Sequence, residues 1–298
     1  MTQTPLGRPA FRLRASDGLG FALAVLVGTP ALCVAFFGLM EGGGETWRHI
    51  VATSLWGSTL RTLGLLLLTG VLVLAAGVPT AWLVVTRNFP GRAWFEWLLV
   101  LPLAAPGYVL AYAYADVMGV SGPLQTSLRN ATGWTARDYW FPQIASLWGC
   151  AFVLAAALFP YVYLAARAAF TAQSASTLEA ARSLGAGPWR RFVDVALPAA
   201  RPAIVAGLAL ALMEAAADYG AASYLGVQTL TVGVFKSWSS FGDAAAAARL
   251  ALFLALLALG LYMIERTARG RAGSAETSSR TRSHSRSPLS RVSAMGAT

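Results

Sequence analysis

Six stretches of this 298-residue chain run for about 20 residues with few or no charges, enough to cross a hydrocarbon layer about 30 Å thick. In lipid no water meets the backbone, and the α-helix is the open-ended structure that satisfies its N–H and C=O groups within one segment. The runs therefore predict six helices, at roughly Gly18–Met40, Thr62–Thr86, Trp94–Met118, Ile144–Ala166, Ala203–Leu225 and Ala245–Ile264. Only 12% of the residues are charged, against about 25% in a soluble domain. The expected class is an all-α integral membrane protein.

The formal net charge is +10, and 22 of the 23 basic residues are arginines, the exception being Lys236. They gather in the N-terminal segment, two loops and the C-terminal tail, which fits a positive-inside bias and speaks against a nucleic-acid partner. With the N-terminus in the cytoplasm, Arg48, Arg61, Arg129, Arg137, Lys236 and Arg249 fall outside and the remaining cations inside. Both termini are thus expected to be cytoplasmic. Residues 1–17 read as a cytoplasmic segment, 18–271 as the membrane domain, and 272–298 as a disordered Ser/Arg-rich tail with a contact to anionic lipid open to it. The first run has no small-residue cleavage site and is read as a retained helix. The outer loop from Gly119 to Pro142 carries Trp134, Tyr139 and Trp140, as an interfacial aromatic belt would. Cys33 and Cys150 lie in apolar runs and read as small buried hydrophobes.

Between the fourth and fifth runs lies EAARSLGAGPWRRFVDVALP, residues 179 to 198. Ser176-Thr177 offers an N-cap, and Leu178 to Leu184 are mostly good helix formers. Gly185 and Gly187 end that helix and Pro188 prevents its continuation. Trp189 to Ala196 is expected to resume as a second short helix, stopping near Leu197-Pro198. The small residues Ala180, Ala181 and Gly185 leave one side open to a close-packed partner. An amphipathic helix lying on lipid is the other reading of the same residues.

Glu179-Ala180-Ala181, Gly185 after three further residues, and Val195-x-Leu197-Pro198 after nine more resemble the EAA loop of ABC-transporter permeases. Val195 stands where that family usually has Ile. The resemblance implies a type I ABC-importer permease fold with about six transmembrane helices and an EAA loop at 167–202. It also implies ABC ATPase subunits and a periplasmic substrate-binding protein as partners. Glu179 would position the coupling helix, Gly185 would permit the tight break, and Ala180, Ala181, Leu184, Val195, Leu197 and Pro198 would shape the docking surface.

Asn88-Phe89-Pro90-Gly91-Arg92, Leu101-Pro102-Leu103-Ala104-Ala105-Pro106-Gly107-Tyr108, Glu214 to Gly220 and Gly233 to Trp238 are similar to ferric-iron permeases. That similarity makes ferric iron the expected solute, with molybdate, thiamine, sulfate or polyamine as alternatives. Ferric-iron permeases usually carry two such halves, whereas this chain has one EAA loop. A second permease half, a homodimer partner or a truncated, inactive half-permease are the three ways to read the difference. A membrane scaffold or enzyme is the competing class.

Glu214 and Asp218, four residues apart, are expected on one face of the fifth span. Intramembrane carboxylates are costly and are functional candidates, here as hard-oxygen ligands along a path or as a structural pair. Tyr108 and Tyr112 share a face, either along the path or as packing. Pro79, Pro102 and Pro106 interrupt backbone bonding in the second and third spans. The sequence holds no G-x-x-x-x-G-K-[ST] loop, so ATP hydrolysis is expected on a partner chain and no cofactor is called for.

Overall fold

The computed structural model describes residues 15–40, 44–173, 183 and 185–276, which are helical or irregular without a strand. In chain order the helices are α1 (Ala15–Met40), α2 (Glu45–Thr53), α3 (Leu55–Thr86), α4 (Arg92–Leu98), α5 (Gly107–Met118), α6 (Pro123–Thr132) and α7 (Leu147–Ala172). They continue with α8 (Pro188–Ala217), α9 (Gly220–Tyr224), α10 (Leu230–Ser239) and α11 (Ala244–Glu276). Among the described residues four helices are long and apolar enough to span a membrane alone: α3, α7, α8 and Ala244–Met263 of α11. Two bent helix pairs, one in the α1–α2 region and one from α4 to α6, bring the candidate spans to six.

The core is formed by α3, α7 and α8, each packed against the other two. Without a hydrophobic driving force between helices in lipid, close backbone approach at small residues supplies the packing. Gly77 of α3 and Gly207 of α8 both provide it against the Tyr161–Tyr163 stretch of α7. A Cβ on Gly77 would lie 2.9 Å from Val162, and one on Gly207 would lie 2.7 Å from the Tyr161 carbonyl oxygen. Val73, Val162, Tyr163 and Ala166 are completely buried between them. An aromatic chain closes one end: Trp82 meets Phe170 at 5.3 Å and Phe192 at 5.2 Å, and Phe192 meets Trp189 at 5.8 Å. Peripheral α1 leans on α11, where Arg249 donates Nε to the Gly38 carbonyl at 2.9 Å.

Several expectations change. The third span is not one helix: after α4 comes a 3-10 turn at Leu101–Ala104, then Pro106 starts α5. The two arms are bent by 102°, because Pro102 and Pro106 lack the amides that would carry α4 through. Nor does the chain stop at Leu197-Pro198. Arg191–Ala196 form a π-turn, and the Leu197 N–H reaches back to the Phe192 carbonyl. The wider turn relieves the clash a proline imposes on the preceding turn, so α8 runs unbroken from Pro188 and ends at Ala217, not Leu225. Cys150 is buried, but Cys33 is exposed on α1. Helix α11 extends to Glu276, past the expected start of the tail at 272.

The 119–142 loop is built rather than slack. Arg129 donates to the Val120 carbonyl (2.8 Å), to Thr126 (3.0 Å) and to the Tyr139 hydroxyl (3.1 Å). Tyr139 donates to Gln125 at 2.8 Å, and Gln125 donates to the Met118 carbonyl at 2.8 Å.

Candidate translocation path and coupling segment

At the end of α8 the chain turns away from helical geometry, with Asp218 at φ −68° and ψ 119°. Asp218 Oδ1 accepts from the amides of Ala221 (2.8 Å) and Ala222 (3.2 Å), capping α9. This is the geometry by which a short polar side chain satisfies orphan amides at a helix start. Asp218 Oδ2 faces the broken third span, 3.0 Å from where a Cβ on Gly107 would sit. A Cβ on Gly220 would sit 2.7 Å from Tyr108 Cβ. Two glycines therefore let α9 press against the start of α5, with Asp218 between them.

Glu214 and Asp218 do not share a helix face, as the four-residue spacing predicts, because Asp218 lies beyond the helix. They share a cavity instead, of about 230 Å³, walled by Pro102–Gly107, by Leu154 and Tyr161 of α7, and by both carboxylates. Glu214 makes no hydrogen bond or ion pair among the described residues, and it is exposed. Tyr108 and Tyr112 follow one face of α5, both 59% exposed, but neither lines that cavity. Tyr112 packs edge-on against Tyr224 at 5.9 Å. Among the described residues no group of three or more His, Cys, Asp or Glu is arranged to hold a metal ion.

At the other end of α8 lies the predicted break. Gly185 has φ +81°, a left-handed conformation that a side chain resists and glycine accepts. Among the described residues no atom lies within 4 Å of a Cβ placed there. Glu179, Ala180, Ala181 and Leu184 lie outside the described residues. Val195 and Pro198 are half-buried in α8, and Leu197 packs against the core. Gln173 at the end of α7 donates Nε2 to the Ala196 carbonyl at 2.9 Å, tying that helix to the π-turn.

Two features of this end escaped the sequence reading. The first is an apolar groove of about 470 Å³ formed by Pro79, Trp82 and Leu83 of α3 with Pro188, Trp189 and Phe192 of α8. Trp189 stands 74% exposed beside it; a tryptophan next to a helix break was its signal. The second is Glu96, whose Oε2 accepts from Arg167 Nη2 at 2.7 Å while Oε1 accepts from Arg92 Nε at 3.2 Å. Arg92 also donates to Asn88 Oδ1 at 2.9 Å. The Glu96–Arg167 pair joins α4 to α7 across 71 residues, beyond the reach of local pattern.

Residues 67–269 match the family model described as "Binding-protein-dependent transport system inner membrane component". The chain belongs to this family. The permease is 32% identical over 228 residues to the molybdenum transport system permease protein ModB of Escherichia coli (strain K12), covering 73% of this chain and 96% of ModB. It is 29% identical over 283 residues to PhnU of Salmonella choleraesuis (strain SC-B67), named for 2-aminoethylphosphonate transport, covering 90% and 97%. The fold matches a solved bacterial alginate ABC transporter with a TM-score of 0.66 at 15% identity, covering 86% of the permease and 94% of that chain. The permease has the type I ABC-importer fold.

Proposed function

We propose that the permease forms one half of the path of an ABC importer for a small oxyanion, driven by a separate ATPase through the 167–202 loop. The observation that carries the coupling is the continuity of α8. Its 30 residues span about 45 Å at 1.5 Å per residue. One end begins just after the Gly185 break, and the other presents Glu214 and Asp218 to the cavity of the broken third span. A displacement passed through the Gly185 break to the start of α8 therefore reaches Glu214 within one continuous helix. Closure of the ATPase subunits would favour one access state through differential contacts at Gly185 and the preceding helix. Glu179 would position that helix, and Ala180, Ala181 and Leu184 would fill the partner's groove. The exposed Trp189 groove adds an apolar surface beside it.

The end carrying Gly185, Arg87, Arg92 and Arg167 is taken as cytoplasmic, following the excess of cations there. Both termini then lie inside. A periplasmic binding protein would deliver solute to the opposite end. The alignment with ModB spans 96% of that protein, and a second permease half or a second copy would complete the path.

Iron finds no support in these relatives, named for molybdenum and 2-aminoethylphosphonate. Its physical basis weakens too. The case for iron needs two free carboxylates as hard ligands, and Asp218 spends one oxygen on two amides. The test is solute-stimulated ATP turnover in proteoliposomes holding the permease, its ATPase and its binding protein. Molybdate, 2-aminoethylphosphonate and sulfate are compared with ferric citrate. Stimulation by an oxyanion is the expected result, and stimulation by ferric citrate alone would overturn the oxyanion assignment.

A further inference from the structure

A second cavity lies apart from the path, at the end of the bundle opposite Gly185, where α2 and α3 meet α10 and α11. Its volume is about 260 Å³, and His49, Arg61 and Lys236 open onto it. Ile50, Leu230 and Leu250, all buried, give it an apolar floor.

The cations of this end are not alike. Arg249 is committed, with Nε on the Gly38 carbonyl and its guanidinium 5.4 Å from the Trp47 ring centroid. Lys236 donates to the neutral Gln228 at 2.7 Å. Arg61 has no hydrogen-bond acceptor or ion pair among the described residues. No carboxylate lines the cavity, and the ion pairs among the described residues all belong to Glu96 at the opposite end. Three of the four hydroxyls lining it are spent on their own helices: Thr53 donates to the His49 carbonyl, Ser54 to the Ile50 carbonyl and Ser237 to the Gly233 carbonyl, which leaves Ser58. The cavity thus gathers two full positive charges with unused donors and no counter-charge.

Like charges held together are unfavourable unless an anion joins them. A guanidinium offers a planar fork of donors suited to two oxygens of a phosphate-type anion, and an ammonium adds a point charge. We propose that this cavity binds a tetrahedral, phosphate-type anion, with Arg61 and Lys236 as the principal ligands and His49 at its edge. The anion has two sources: a free oxyanion in the aqueous phase, or the phosphodiester of an anionic phospholipid whose acyl chain follows the apolar floor. Either way the site is separate from the Glu214–Asp218 cavity, and it does not depend on the transported solute.

The experiment uses the full-length permease in two arms. In nanodiscs of phosphatidylcholine alone, inorganic phosphate and molybdate are titrated by isothermal calorimetry. In detergent exchanged against phosphatidylglycerol, retained lipid is counted by native mass spectrometry. Both arms are repeated with Arg61→Gln/Lys236→Gln and with the charge-keeping Arg61→Lys, after thermal unfolding shows that each variant is folded. Binding in either arm that weakens by about tenfold or more in the double variant, and is partly kept in Arg61→Lys, is the expected result. The arm that responds identifies the source. No binding in either arm, or binding that the double variant leaves unchanged, overturns the assignment.

Discussion

Asp218 holds α9 with one carboxylate oxygen, 2.8 Å from the Ala221 amide, and faces Gly107 with the other. One side chain thereby ties the end of α8 to the break in the third span. Replacing Asp218 with Ala removes the cap, a loss of roughly 1 kcal/mol for such positions. Asp218→Asn keeps an acceptor oxygen and should recover most of that loss in chemical unfolding of the detergent-solubilised permease. If Asn proves as damaging as Ala, the charge rather than the cap is what matters.

Gly107→Val should impair transport more than folding. Its side chain would meet Asp218 Oδ2, whose Cβ approach is 3.0 Å, and push α5 away from α9. Proteoliposome uptake should fall severalfold while the helical circular dichroism signal holds. Unchanged uptake would mean that the contact is incidental.

Gly185 and Gly187 make a matched pair. Gly185 is left-handed, whereas Gly187 has φ −65°, and on gaining a Cβ neither would meet an atom of the described residues. Gly185→Ala should therefore cost on the order of 1 kcal/mol in backbone strain, and Gly187→Ala should cost little. The expected readout is reduced co-purification of the ATPase and reduced stimulated ATP turnover for Gly185→Ala only. Equal effects in both variants would remove the break from the coupling mechanism.

The Glu96–Arg167 pair should matter more for motion than for stability. With side chains 23% and 36% exposed, it is worth up to about 1 kcal/mol. Arg167→Gln should shift the unfolding midpoint slightly, by less at high salt, yet alter the transport rate by freeing α4 from α7. A stability loss several times larger, without a change in rate, would make the pair a purely structural staple.

Gly207→Leu should compromise assembly itself. A Cβ there would lie 2.7 Å from a backbone oxygen that α7 cannot easily move, and overpacking of this kind costs about 1–3 kcal/mol or more. Loss of the folded fraction in fluorescence-detected size exclusion is the expected outcome; normal yield would contradict the α7–α8 packing.

The sequence by itself determined whatever depends on a residue and its near neighbours in lipid. Uncharged runs set where helices must lie, because unpaired backbone groups are intolerable there. Gly185 marked its own break, since φ +81° is open to glycine and costly to others. Tertiary structure decided the rest. Whether Pro198 ends a helix or is absorbed by a π-turn depends on packing along α8. Whether Asp218 continues a helix or caps another depends on α5 and Gly107, more than a hundred residues away. Arg61 and Lys236 share a cavity, and Glu96 meets Arg167, only because the bundle folds those helices together. Such encounters follow from the geometry of packed helices, and no local periodicity encodes them.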